Sequence, residues 1–454
     1  MSTSQTAQTD SGVTLALIKM ARAINWSDIP ADAREAARHC ILDCLGTAIA
    51  GSREPLTEIL VREVASKEKS SQAGLIGRGE RASRLSAALI NGAAAHALDY
   101  DDTHMMMMGH PSVPVIPAVL ALAETEGASG RAMLEAIIAG IELECRLGAM
   151  MGTAHYAIGF HSTGTLGTFG AAAACAHLLH LDESQWRNAL GLAGTQAAGL
   201  KSGFGTMAKP LHAGRAASNG LLSALAARGG FTANPEIVET KQGFAATHSG
   251  NLGRVAIDQF AGRFVIRDTL FKYSASCYLT HAPIQAASMI RTEHRFDPAS
   301  IASVEVHIEP GALNVCNIAE PRTGLEGKFS LRATTAMALS GIDTSNLETF
   351  TDAQVTDARL VALRDRVTIV PDKKMGGTQA EVIVESRGQR VRAEADSGVP
   401  AANLALQRES LTRKFIAITA PVISRKNSER LAEAALHADE INSVSELLSM
   451  TRAI

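Results

Sequence analysis

The chain has 454 residues, 46% of them hydrophobic, which is enough for two domains with substantial cores and speaks against disorder except at the ends. Lys and Arg number 43 against 46 Asp and Glu, a net charge of −3, so no basic excess draws nucleic acid or an anionic membrane, and a small-molecule partner fits better. No apolar run free of charge reaches the roughly 20 residues of a membrane span, and the six cysteines, with no CxxC and no short Cys/His ligand spacing, read as reduced thiols.

In chain order, the polar start MSTSQTAQTDSG lacks a basic segment followed by an apolar one and reads as a disordered tail over residues 1–11, with a cytoplasmic location expected. From residue 12 the apolar pattern is helical and alanine-rich, as in AREAARHCILDCLGTAIAG and GRAMLEAIIAGIELECRLGAMMG, and an all-α domain is expected over 12–268. Aromatic residues are only 4%, so these helices should approach closely through Ala and Gly. Gly164, Gly167 and Gly170 resemble a nucleotide loop, but the spacing is GxxGxxG with no strand before it, so helix packing is the better reading. Near residue 300 the texture changes. ASVEVHIEP, RVTIVPD, AEVIVESRG and RVRAEADSG alternate with the two-residue period of half-exposed strands, which predicts an α/β region over 269–404. Residues 405–454 return to helical spacing and are expected to pack back on the first domain. The fold expected is therefore mainly α, a large all-α helical domain plus a smaller α/β (α+β) domain.

The densest chemistry lies in HALDYDDTHMMMMGHPS, residues 96–112. If the helix of RLSAALINGAAAHALDYDD runs to Asp102, then His96, Asp99 and either Asp102 or Thr103 share one face, while Asp101 points elsewhere. Acids at a helix C-terminus oppose the helix dipole, so their presence hints at function. Gly109 breaks any helix and Pro111 pushes His110 into an extended conformation, which lets His110 return toward Asp99. A metal reading needs three or four convergent ligands, and no HxH or HExxH pair is present, so an acid–base site is preferred over a metal. Further cations and imidazoles recur in HYAIGFHST, MAKPLHAGRA, FKYSASCYLTHAP and GLEGKFSLRAT, a set suited to a substrate with several carboxylates.

At these residues the sequence resembles the MmgE/PrpD family, whose members include 2-methylcitrate dehydratase, cis-aconitate decarboxylase and iminodisuccinate epimerase. The matching segments, HALDYDDTH with GHPSVPVIPAVLALAE, GFHSTGTLGTFGAAAA, AKPLHAGRAASNG, FKYSASCYLTHA and GLEGKFSLRAT, are spread in order over nearly the whole chain. The resemblance implies a homodimer, a smaller domain that acts as a lid, no metal and no organic cofactor. It implies a site containing Asp99, Thr103, His110, His161, Lys209, Lys272 and His281.

The chemistry so implied is proton transfer at a carbon next to a carboxylate of a small di- or tricarboxylic acid. Cations aimed at the carboxylate stabilise the charge that builds there, and an imidazole or amine must reach the carbon-bound proton. His110 is assigned as general acid/base oriented by Asp99, Lys209 as a second proton-transfer group or carboxylate clamp, and Thr103, His161, Lys272, Cys277 and His281 as substrate contacts. The sequence departs from the decarboxylase branch in three places. One extra residue stands between Thr103 and His110, Tyr156 replaces a methionine and Cys277 replaces a histidine, which weighs against aconitate decarboxylation. Tyr156 and Lys209 match the two-face acid–base pair of the epimerase branch. A lyase is preferred, with an epimerase as the alternative and a non-catalytic metabolite-binding protein as the second alternative.

Overall fold

The computed structural model describes residues 12–250, 252 and 262–453, so the expected tail over 1–11 lies outside the described residues. Among the described residues, helices dominate and no helix is long and apolar enough to cross a membrane. All six cysteines are buried free thiols.

The larger core is built from helices Arg84–His96, Ser112–Glu126, Gly130–Ile158, Ser162–Leu178 and Ala208–Arg228, which pack against one another over most of their length. Their composition makes this possible. A Cβ on Gly214 would lie 2.2 Å from the Leu89 carbonyl oxygen, and one on Gly164 would lie 2.4 Å from that of Ala198, so backbone meets backbone where a side chain would hold two helices apart. Gly167 and Gly170 likewise face Pro114 and Glu144 within the buried helix Ser162–Leu178. The GxxGxxG run is a packing device, as expected. Helix Leu404–Ile423 lies along helix Ala31–Ala50, and Leu411, Phe415, Leu431 and Leu436 enter the same core.

The four alternating segments form one sheet. Strands β1 (Ala73–Gly74) and β2 (Arg81–Ala82) make a separate two-residue ribbon; β3 (Ile301–Ile308), β4 (Val367–Pro371), β5 (Gln379–Ser386) and β6 (Gln389–Asp396) are ordered β4-β3-β5-β6. β3 and β4 are parallel, and the chain between them crosses over through helices Leu331–Ser340 and Ala358–Arg364, as a parallel pair requires. β3, β5 and β6 are antiparallel. Arg387 and Gly388, with φ of 50° and 78°, make the two-residue turn between β5 and β6, the left-handed geometry that matches strand twist. Val304, Val306, Val382 and Val384 point into a second core covered by helices His281–His294 and Leu331–Ser340. Leu98, Tyr100 and Ile418 belong to this second core although their segments adjoin the first. The stretch after His96 therefore runs where the two cores meet.

Candidate active site

Ser83 caps helix Arg84–His96 by accepting from the Ser86 N–H, and the helix ends at His96 rather than at Asp102. Asp99 takes φ 52°, a left-handed conformation that aspartate tolerates better than most residues. The chain thus leaves the helix before its acids can oppose the dipole. Each of the three buried aspartates then finds its own partners.

Asp99 Oδ1 accepts from Lys209 Nζ and from Lys272 Nζ, each at 2.7 Å. Burial alone would raise its pKa, but the two ammoniums outweigh it and hold the carboxyl well below the usual range. Asp101 accepts from His96 Nδ1 at 2.9 Å and pairs with His110 Nδ1 at 3.0 Å, and these imidazoles outweigh burial in the same way. Asp102 is held by the backbone N–H and hydroxyl of Ser112; burial, with Asp43 nearby, pushes it well above the carboxylate range. Asp101, set aside by helical periodicity, is thus the carboxylate that orients His110, while Asp99 stays 3.9 Å from His110 Nε2. Periodicity misses it because the backbone turns at Asp99. The only signal in the sequence was a third acid within reach of two histidines.

The tautomer of His110 follows from its partners. Nδ1 lies 2.6 Å from the Asp102 carbonyl oxygen, which only accepts, so Nδ1 carries a proton and, in the neutral ring, Nε2 carries the lone pair. The His110 N–H donates to Thr163 Oγ1. Between Thr103 and His110 the four methionines form a turn hung on the His104–Gly109 bridge, with Thr103 Oγ1 donating to the Gly109 carbonyl. Thr103 is also paired through its backbone to Leu270, which brings the segment bearing Lys272 to this loop.

Three successive carbonyls of the turn are each held by a buried lysine. Leu98 O accepts from Lys328 at 2.6 Å, Asp99 O from Lys272 at 2.8 Å and Tyr100 O from Lys414 at 2.6 Å. Lys328 lies between β3 and helix Leu331–Ser340, Lys272 in the loop before helix His281–His294 and Lys414 in helix Leu404–Ile423, so three distant segments converge on the turn at Asp99. Burial lowers the Lys328 pKa to about 8, whereas at Lys272 the Asp99 charge outweighs burial and raises it.

Asp99, Thr103, His110, Tyr156, His161, Lys209, Lys272 and Cys277 all line one cavity. Lys209 stands in the first turn of helix Ala208–Arg228, with Phe204 and Phe329 rings 5.3 and 5.2 Å from its Nζ. Gly152, with φ 61°, kinks helix Gly130–Ile158 before the turn that carries Tyr156. Burial pushes the Tyr156 phenol up from its ordinary value, and the nearby Lys201, 3.8 Å over the ring, does not reverse this, so the phenol is a proton donor and not a phenolate base. His161 is buried beside His212 at 3.1 Å; burial and then Lys209 hold its pKa well below the usual range, and its Nε2 has no hydrogen-bond partner among the described residues. Cys277 is buried near Cys316, whose influence outweighs burial and lowers the Cys277 thiol from its ordinary value.

His281 is the exception. It lines a neighbouring cavity with Gln285 and Gln407, stacked on Tyr278 at 5.0 Å, and burial lowers its pKa to about 3. The structure does not bring it to the cavity of Asp99.

One ligand atom each from His96, Asp99, Asp101 and His110 lies within 4.8 Å of the others, a donor set of a kind that can hold a metal ion. Its chemistry favours protons. Two ammoniums stand 2.7 Å from Asp99 Oδ1 and would repel a dication, and Asp101 is already shared by two imidazoles.

Residues 16–253 match the family model of the MmgE/PrpD N-terminal domain and residues 274–440 that of the MmgE/PrpD C-terminal domain. The cis-aconitate decarboxylase of Aspergillus terreus is 31% identical over 355 residues, 72% of this chain and 72% of that protein. The cis-aconitate decarboxylase of Homo sapiens is 32% identical over 272 residues, 56% of this chain and 54% of that protein. The chain belongs to the MmgE/PrpD family.

Proposed function

We propose that the protein is a cofactor-independent lyase that moves a proton at a carbon adjacent to a carboxylate of a small di- or tricarboxylic acid. The observation that carries this reading is the Asp99 carboxylate gripped by Lys209 and Lys272 beside an imidazole of fixed tautomer, all opening on one cavity. Substrate carboxylate docks against the two ammoniums, whose charge stabilises the enediolate-like state formed when the adjacent C–H is broken. His110 Nε2 takes that proton, while Asp101 and the Asp102 carbonyl keep Nδ1–H in place and share the positive charge that develops on the ring. The relatives named cis-aconitate decarboxylases favour a lyase outcome: either loss of water from the carbanion formed by deprotonation, or loss of CO₂ that leaves a carbanion, to which His110 in its protonated form returns a proton.

The second reading is an epimerase of an iminodisuccinate-like dicarboxylate using Tyr156 and Lys209. It is favoured by one observation, that both residues line the same cavity, and the raised phenol pKa gives Tyr156 the donor half of such a reaction. A lid role for residues 269–404, a homodimer and a cytoplasmic location complete the proposal. Incubation of the purified protein with a panel of di- and tricarboxylates, following CO₂, unsaturated product and optical rotation together, tests it. Formation of CO₂ or of an unsaturated acid supports the lyase, inversion without either supports the epimerase, and no change in any acid overturns both.

A further inference from the structure

His161 and His212 form an imidazole pair apart from the group assigned to proton abstraction. His161 lines the cavity at Asp99, is 1% exposed, and leaves its Nε2 without a hydrogen-bond partner among the described residues. Its Nδ1 lies 3.1 Å from Nδ1 of His212, which stands in the second turn of helix Ala208–Arg228, outside the cavity lining and partly exposed. One hydrogen bond therefore joins a cavity imidazole to one that solvent reaches.

The local chain builds this contact. The His161 N–H donates to the Gly199 carbonyl at 3.0 Å and Phe160 bridges to Leu200, which ties the loop after helix Glu183–Gln196 to the start of helix Ser162–Leu178. A Cβ on Gly199 would lie 3.3 Å from His212 Cγ and Nδ1, and one on Gly203 would lie 3.5 Å from its Cε1, so the ring rests on bare backbone there. Neither ring favours charge: burial, followed by Lys209, lowers both pKa values, that of His161 well below the usual range. An imidazole that is costly to charge can still move a proton, by accepting one at Nδ1 as it releases another from Nε2. Either lyase outcome draws a proton into the cavity, because loss of water needs one on the departing hydroxyl and loss of CO₂ consumes one per turnover.

We propose that His212 is a proton relay between His161 and solvent. In loss of water, the His161 Nε2–H bond breaks as its proton joins the departing hydroxyl, the His212 Nδ1–H bond breaks as its proton joins His161 Nδ1, and His212 Nε2 takes a proton from solvent. No charge is left on His161. The proton that His110 took from carbon then leaves by the reverse route through the released water, which resets both rings. The direction of transfer rests on the lyase reading, but the relay itself can be measured without any reaction.

The test is NMR of the full-length protein labelled with ¹⁵N-histidine, following solvent exchange of the ring N–H protons. His104 is the internal control, because it is also 1% exposed and its Nε2 is held 2.8 Å from the Val265 carbonyl. The His161 proton should exchange about tenfold or more faster than that of His104 in the wild type, and should slow to the His104 rate in His212→Asn, whose amide keeps a hydrogen bond to His161 Nδ1 but passes no proton. With the acid that the panel identifies, His212→Asn should lower kcat roughly 10²-fold with KM unchanged, whereas a packing role would leave kcat near that of the wild type. Equal exchange at His161 and His104 in the wild type, or an unchanged kcat in His212→Asn, overturns the relay. Fast exchange that depends on His212, in a protein that turns over no acid, leaves the relay standing and sinks the lyase reading; turnover indifferent to His212→Asn does the reverse.

Discussion

His110 and Asp101 form the central pair of the site: Nδ1 and Oδ2 stand 3.0 Å apart, and the same carboxylate holds His96 at 2.9 Å. Asp101→Asn keeps the side-chain volume but replaces an acceptor by an amide that can present N–H to His110, favouring the wrong tautomer. The expected outcome is a kcat loss of roughly 10²–10⁴-fold, similar to that of His110→Asn, with little change in KM. Steady-state kinetics on both variants check it; a mild Asp101→Asn beside a severe His110→Asn would show that tautomer control is unimportant.

Asp99 is the counter-charge of two buried ammoniums, so Asp99→Asn should destabilise the fold by about 3–5 kcal/mol as well as abolish turnover. Adding Lys272→Met should restore part of that stability, because it removes one of the stranded charges. Urea unfolding of the single and double variants measures the coupling.

The same pair sets an acid limit. Asp99 and Asp101 have folded pKa values depressed below the unfolded value near 4, so the stability they contribute is fully present above that value and is lost as pH falls below it. Thermal unfolding from pH 7 to pH 2 should show the steepest loss below pH about 4, and Asp101→Asn should flatten it.

Lys328 acts at the other end of the pH scale. Its folded pKa, lowered by burial to about 8 against an ordinary 10.5, means that the unfolded chain binds more protons between those values, so its contribution to stability rises with pH across that window. The charged donor to the Leu98 carbonyl is lost over the same range. Activity should therefore fall above pH about 8 while stability does not, and Lys328→Met should lower kcat at pH 7 and remove that alkaline limb from the rate profile.

Tyr156→Phe deletes one hydroxyl and keeps the ring. If the protein is a lyase the change should be mild; if it is an epimerase, stereochemical inversion should fall roughly 10²–10⁴-fold while exchange on one face persists. Polarimetry alongside product formation distinguishes the two. Dialysis against EDTA should leave either activity intact, because the Lys209 and Lys272 ammoniums on Asp99 Oδ1 would repel a cation there.

Much of this was legible in the sequence, for identifiable reasons. The four strands showed because half-exposed strands alternate, and ASVEVHIEP and AEVIVESRG became β3 and β5 with that burial pattern. The glycines of GTLGTFG were read as packing because no strand preceded them, and they do meet neighbouring helices. What periodicity could not supply was the end of helix Arg84–His96, because local spacing does not show a left-handed Asp99 fixed by lysines up to 173 residues away. From that one turn follow the exchange of roles between Asp99 and Asp101 and the place of Lys328 and Lys414. His281 follows Lys272 closely in sequence, but helix His281–His294 starts there and its side chain borders the adjoining cavity of Gln407, from which it still feels the charges of Lys272 and Asp99.

The most direct test of the central claim, that His110 Nε2 moves a proton at carbon beside a carboxylate held by Lys209 and Lys272, is solvent deuterium incorporation followed by NMR. The wild-type protein and His110→Asn are incubated in deuterated water with the acid that the panel identifies. The account predicts deuterium at the carbon adjacent to the carboxylate in the wild type, in substrate or product, and its loss in His110→Asn with the substrate still bound. Deuterium entering equally in both proteins, or product forming in the wild type with no deuterium at that carbon, would contradict it.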